Sequence, residues 1–200
     1  MAQTFVGNIA QVINAARPKY NVGDFLHNDL HDTFPVDVVV DLIIVDYGVN
    51  DAVLQRFDFD INNVKLAHEV LISHIRNDMI HMPALIYAEN FIPDSRVRSA
   101  PQQASNMAEV HAAVTSKYDI PMVSFRDAVW PDLEDPALAN RLWGNEVHPD
   151  WQVQQLLADV MVYFIQKSYA RFVEEHGLLS TPSPGDKALS LFETKMGCLA

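Results

Sequence analysis

Apolar residues run almost unbroken from Val38 to Val45, with Asp41 the one interruption, and then stop at Asp46-Tyr47-Gly48-Val49-Asn50-Asp51. A run of this length, rich in Val and Ile, predicts a strand of a parallel sheet with both faces buried. The period then changes. Val64, Ala67, Leu71 and Ile75 recur every three to four positions, which predicts a helix that Asn62 can cap and that continues to about Asn77. Pro83 to Ala88 is a second apolar strand, 92–101 with two prolines a loop, 102–117 a helix, and Met122 to Phe125 a third strand. Residues 150–174 carry a broad apolar stripe through Val153, Leu157, Val160, Met161 and Phe164 and form the last helix. Upstream, Val6, Ile9, Ala10, Ile13 and Ala16 have helical spacing and predict a helix over 7–16, while 22–36 reads as an irregular connector or short helix. Beyond Gly177, Ser180-Thr181-Pro182-Ser183-Pro184-Gly185 reads as a linker, so the expected organisation is one domain over 1–177 and a tail over 178–200.

Strands that alternate with helices predict the α/β class: a parallel sheet between two layers of helices, α/β/α. There is no internal repeat. In such sheets ligands bind beyond the carboxyl ends of the strands, which draws attention to the Gly48 to Asp51 turn. In a flavodoxin-like strand order the first strand lies between the second and the third. The strand ending at Val45 is too apolar for a bare edge, so the expectation is a fold incomplete on its amino-terminal side, its missing strand absent from this sequence or supplied by another chain. An unpaired apolar strand is also a route to self-association.

Composition narrows the partners. A formal net charge of -12 and a pI near 4.9 exclude a phosphate-binding surface of clustered Lys and Arg, hence nucleic acid, and disfavour anionic membranes. The apolar stretches fall short of the roughly 20 residues of a spanning helix, and Met1-Ala2-Gln3-Thr4 begins no charged-then-apolar leader. Cys198 has no partner for a disulfide within the chain, and composition leaves the compartment open. His27 and His31 have the i, i+4 spacing of a metal pair but no third ligand, so no metal site is expected there. His68, His74 and His81 read as helix surface. Phe57 to Asp60 reads as a loop against the core or a pocket lining, and Trp130 and Trp143 as packing residues.

The turn Gly48-Val49-Asn50-Asp51, followed about a hundred residues later by Asn145-Glu146-Val147-His148-Pro149, resembles the SGNH (GDSL-like) hydrolase family, whose third block reads G-x-N-D and whose fifth reads D-x-x-H-P. Tyr118-Asp119-Ile120-Pro121 between a helix and a strand is similar to the same family, and the resemblance spans roughly residues 38–167. It implies the flavodoxin-like SGNH fold and hydrolysis of a carboxylic ester or carbohydrate O-acyl group by a Ser-His mechanism, without metal or organic cofactor. His148 would be the base, and Asn50, with the backbone N–H of Gly48, would stabilise the oxyanion. Asn145 stands where the family has the Asp that orients the histidine. An amide cannot offset imidazolium charge, and in a serine protease Asp to Asn lowers kcat by about 10⁴. The G-D-S block that carries the nucleophile has no counterpart: Gly23-Asp24-Phe25 has Phe in place of serine, and Asp94-Ser95 follows the G-x-N-D turn instead of preceding it. The chain as written is therefore expected to be a poor esterase. The alternative is a non-catalytic member, truncated or a pseudoenzyme, that serves as a binding or interaction module. A nucleotide-binding flavodoxin-like domain is disfavoured, since there are seven glycines and no G-x-G-x-x-G.

Overall fold

The computed structural model describes residues 2–4, 11–18, 20–28, 39–55, 60–79, 81–90, 101–129 and 149–177. Its elements are β1 (Ala2–Thr4), β2 (Gln11–Ile13), α1 (Val22–Asn28), β3 (Leu42–Val45), α2 (Gly48–Gln55), α3 (Ile61–Asp78), β4 (Ala84–Glu89), α4 (Pro101–Lys117), β5 (Met122–Ser124), α5 (Phe125–Val129) and α6 (Trp151–Glu175). The chain divides into two compact units, Met1–Gln154 and Gln155–Ala200. The first contains both sheets. Helix α6 starts in the first unit and supplies the described part of the second; its first turn is closed by the Asp150 carbonyl, which accepts from the N–H groups of Val153 and Gln154.

β3, β4 and β5 form a parallel sheet in that order, and β1 and β2 form a separate antiparallel pair. The ladder sets Leu42 opposite Ala84, Ile44 opposite Ile86, and Tyr87 opposite Met122. Because neighbours in register point to the same side, Ile43, Val45, Leu85, Tyr87 and Glu89 share one face. Val45, Leu85 and Tyr87 join Val64, Leu71, Ile72 and Ile75 of α3 and Met107 and Val114 of α4 in one core cluster. Both crossover helices thus cover the same face, as expected when consecutive strands add in one direction. β4, in the middle, is buried from Leu85 to Glu89. β3 lies at an edge among the described residues, with Leu42 and Ile44 on the opposite face 37% and 49% exposed.

Local chemistry explains where elements begin and end. The side chain of Asp60 accepts from the N–H of Asn62 at 2.9 Å, so Asp60 caps α3 and Asn62 lies inside it. Asn21 and Asp24 cap α1 reciprocally: the Asn21 side-chain oxygen accepts from the Asp24 N–H at 2.9 Å, and the Asp24 carboxylate accepts from the Asn21 N–H at 3.3 Å. α4 ends with Asp119 in the left-handed region (φ 53°), which lets the Ile120 N–H reach back to the Thr115 carbonyl at 2.9 Å. Pro121 follows, and β5 starts directly.

One expected element is corrected. The helix over 7–16 is not formed at 11–13, which pair as a strand with 2–4; the β-branched pair Val12-Ile13 suits a ladder better than an uncapped helix. The expected strands at 38–45, 83–88 and 122–125 and helices at 62–77, 102–117 and 150–174 occur within a few residues of those bounds, whereas β1, α2 and α5 are not among the expected elements; the 92–100 loop and the tail from 178 lie outside the described residues.

The capping and core roles of α3 separate by magnitude. Asp60→Ala is expected to cost about 1 kcal/mol through the lost cap. Ile72→Ala, which empties a fully buried site, should cost about 2–5 kcal/mol. Urea unfolding of both variants checks the ranking.

A candidate functional site at the carboxyl end of the sheet

β3 delivers the chain to Gly48, where α2 begins at once. A Cβ at Gly48 would lie 2.5 Å from the Asn90 carbonyl oxygen and 3.0 Å from a Glu89 carboxylate oxygen, so only glycine lets this turn sit against the end of β4. The first turn of α2 follows directly from that contact. Asp51 is fully buried beneath it (0% exposed). Asn50 lies alongside α1, its amide donating to the Tyr20 carbonyl at 2.6 Å.

Three more helices and strands bring partners to Asp51. Its Oδ1 accepts from the Val22 N–H at 3.1 Å, at the start of α1. Its Oδ2 lies 2.7 Å from Nε2 of His68 on α3 and 3.2 Å from Nε2 of His111 on α4. The far nitrogens of both rings are also engaged. His68 Nδ1 is 3.1 Å from the Tyr87 hydroxyl, and His111 Nδ1 is bonded to the Glu89 carboxylate, both on β4. The two imidazoles meet edge to face with ring centroids 4.4 Å apart. Every member of this group is buried.

Charges in such a place arrange themselves by mutual proximity. Burial alone would raise the Asp51 carboxyl, but hydrogen bonds from His111 and His68 outweigh it and hold the group below the usual carboxylate range. Burial pushes His68 down, against the pull of Asp51, so it is neutral; Nε2–H donates to Asp51 and Nδ1 accepts from the Tyr87 hydroxyl. Burial acts on His111 in the same direction, yet its hydrogen bonds to Asp51 and Glu89, on opposite sides of the ring, raise it to about 9. His111 is therefore an imidazolium between two carboxylates. Burial, with the Asp51 charge next, pushes the Tyr87 hydroxyl well above its ordinary value, keeping it a donor.

Of the residues expected to form the site, Gly48 and Asn50 stand at the carboxyl end of β3. His148 and Asn145, with Ser95, Trp130, Trp143 and residues 56–59, lie outside the described residues. The G-D-S echo at Gly23-Asp24-Phe25 opens α1, with Asp24 in the helix cap and Phe25 in the core. His27 is exposed at the end of α1, and His31 lies outside the described residues. One reading is corrected. His68 is not helix surface but fully buried; His74, bonded to Asp78 at 2.7 Å, is partly buried, and His81 is exposed beyond the helix end. The signal was present in the spacing: His68 falls in the same stripe as Val64, Leu71, Ile72 and Ile75, and His111 stands four after Met107 and three before Val114. Comparison with known proteins finds no matching family model, no matching curated protein and no matching solved structure.

Two outcomes follow from the network. Asp51→Ala leaves an imidazolium and a second imidazole without their shared acceptor and should cost about 3–5 kcal/mol in urea unfolding. The pH dependence has two limbs. The folded pKa of His111 lies above its ordinary 6.5, so its contribution is full below pH 6.5, declines as pH rises and is gone above about 9. The shift corresponds to roughly 3 kcal/mol. The folded pKa of His68 is depressed, so its contribution is full above 6.5 and is lost as pH falls. In metal-free buffer, stability should fall as pH rises from about 6.5 to about 9, and His111→Gln should flatten this alkaline limb. An unchanged alkaline limb in that variant would show that His111 is not the titrating group.

Proposed function

We propose that this chain is an SGNH-type hydrolase domain of flavodoxin-like α/β/α architecture acting on a carboxylic ester or a carbohydrate O-acyl group. Asn50 and the Gly48 N–H stabilise the oxyanion, His148 is the base, and Asn145 orients it. The observation that carries the reading is the position of the G-x-N-D turn: it leaves the carboxyl end of a parallel strand and is packed so tightly at Gly48 that no side chain fits. That is the rim where α/β sheets bind ligands. An Asn amide has two N–H donors, so the bond to Tyr20 uses half of its donating capacity.

A second reading has its own support. The segment that begins at Tyr20, whose carbonyl accepts from Asn50, and runs through α1 to residue 28 contains no serine or threonine. A chain with no serine or threonine there is a non-catalytic module that keeps the sheet and the G-x-N-D turn. Self-association through β3 belongs to this picture, since β3 offers one unpaired edge among the described residues.

Short-chain nitrophenyl esters separate the two. A hydrolase should show turnover that is low yet above buffer and that falls about 10²–10³-fold in Asn50→Ala, the usual loss for one oxyanion donor. His148→Ala should abolish it. Folded protein whose rate equals that of both variants is the non-catalytic module.

A further inference from the structure

We propose that Asp51, His68 and His111 form a binding site for one divalent transition-metal ion, zinc by preference. Each residue offers one ligand atom, and the three atoms lie within 4.8 Å of one another. They come from three different helices, α2, α3 and α4, so their convergence is a property of the fold and not of local sequence. Both imidazoles present the same nitrogen, Nε2, to a single oxygen, Asp51 Oδ2. The other carboxylate oxygen is held aside by the Val22 N–H.

The surroundings match what metal-bound imidazoles require. A ligating histidine usually gives its second ring N–H to an oxygen, which fixes the ring and raises its basicity. His111 has the Glu89 carboxylate in that place and His68 the Tyr87 hydroxyl. With an ion bound, Nδ1–H of His68 donates to the Tyr87 oxygen instead of accepting from it. Two imidazoles and one carboxylate suit zinc, cobalt or nickel, whereas magnesium and calcium favour oxygen shells. Ligand atoms about 2.0–2.1 Å from a tetrahedral ion lie about 3.3–3.4 Å apart. The present separations are 2.7 and 3.2 Å. The His111 pair already has nearly that spacing, and the His68 pair opens by little more than half an ångström when the ion replaces the protons between these atoms. A water completes the shell. With all three ligands buried, the ion's work is to hold α2, α3 and α4 together beneath the G-x-N-D turn.

This proposal does not depend on the ester reading, and its test involves no ester. The purified full chain, stripped with a chelator, is titrated with Zn²⁺, with Co²⁺ as a visible-absorbing probe and with Mg²⁺ for contrast. One equivalent of Zn²⁺ or Co²⁺ should bind, Mg²⁺ should not compete, and Zn²⁺ should raise the melting temperature or restore folding to a metal-free chain that lacks it. Asp51→Asn and His68→Gln, which retain hydrogen-bonding groups, should lose the site. Tyr87→Phe touches no ion and should weaken binding about 10–100-fold. A chain whose folding and melting are the same with and without Zn²⁺ overturns the proposal. So does Zn²⁺ binding that is unchanged in all three variants.

Discussion

A carboxylate removed from water has to be met by charge or by donors, because the uncompensated cost is several kcal/mol per ion. Asp51 is fully buried, and much of the first unit is arranged around meeting that need. Its two oxygens take a backbone N–H from α1 and two imidazoles from α3 and α4. The imidazolium so created calls in turn for a second carboxylate, which the last residue of β4 supplies. The Asp51 carboxylate is held further by hydrogen bonds from the Val22 amide and from the second, neutral histidine. Helices α3 and α4, which also meet through apolar contacts and the Lys117–Glu69 ion pair, are thereby locked in register, since sliding either by one turn would strand a buried charge.

The sheet decides where this happens. Parallel strands added in one direction put both crossover helices on one face, and the residues on that face near the carboxyl ends include Val45, Tyr87 and Glu89. Tyr87 and Glu89 are two apart in β4, so they project to the same side and each meets a different histidine. Gly48 then brings α2 close enough to insert Asp51 between the two. The apolar and polar halves of the core are one continuous layer, with Leu71, Ile72 and Ile75 at one end and the histidines at the other.

The strands, the helices and the turn at Gly48 were legible because each is written in a local period or a short motif. Val38 to Val45 is apolar regardless of its partners, and Val64 to Ile75 repeats at helical spacing wherever it packs. Exceptions are the helices that begin at Gly48 and Phe125, which were read as a turn and as strand, and residues 11–13, where three ladder residues and a distant partner at 2–4 overrode a weak helical spacing. The histidine network could not be read this way. Asp51, His68, Glu89 and His111 are up to 60 positions apart, and nothing in one element names its partner in the next. What could have been read was partial: a histidine inside an apolar stripe is either buried with a partner or badly placed. Taken at face value, His68 and His111 each demanded an acid, and the Asp of the G-x-N-D turn was within reach of the argument.

The arrangement also explains how Asn50 is held without any contribution from a substrate. Asp51 anchors the first turn of α2 from below, Gly48 fixes it against the end of β4, and Tyr20 accepts from the Asn50 amide on the flank. A donor held in this way is in place before any charge or ligand arrives, which is what the proposed ester reading asks of an oxyanion donor. The same rigidity would serve a module that only binds, because preorganised donors lower the cost of ordering a ligand. Preorganisation of the turn is therefore common to both readings, and what separates them is a nucleophile. That difference lies in chemistry opposite Asn50, so the Asp51 network can persist in this fold whether or not an ester is ever cleaved beside it.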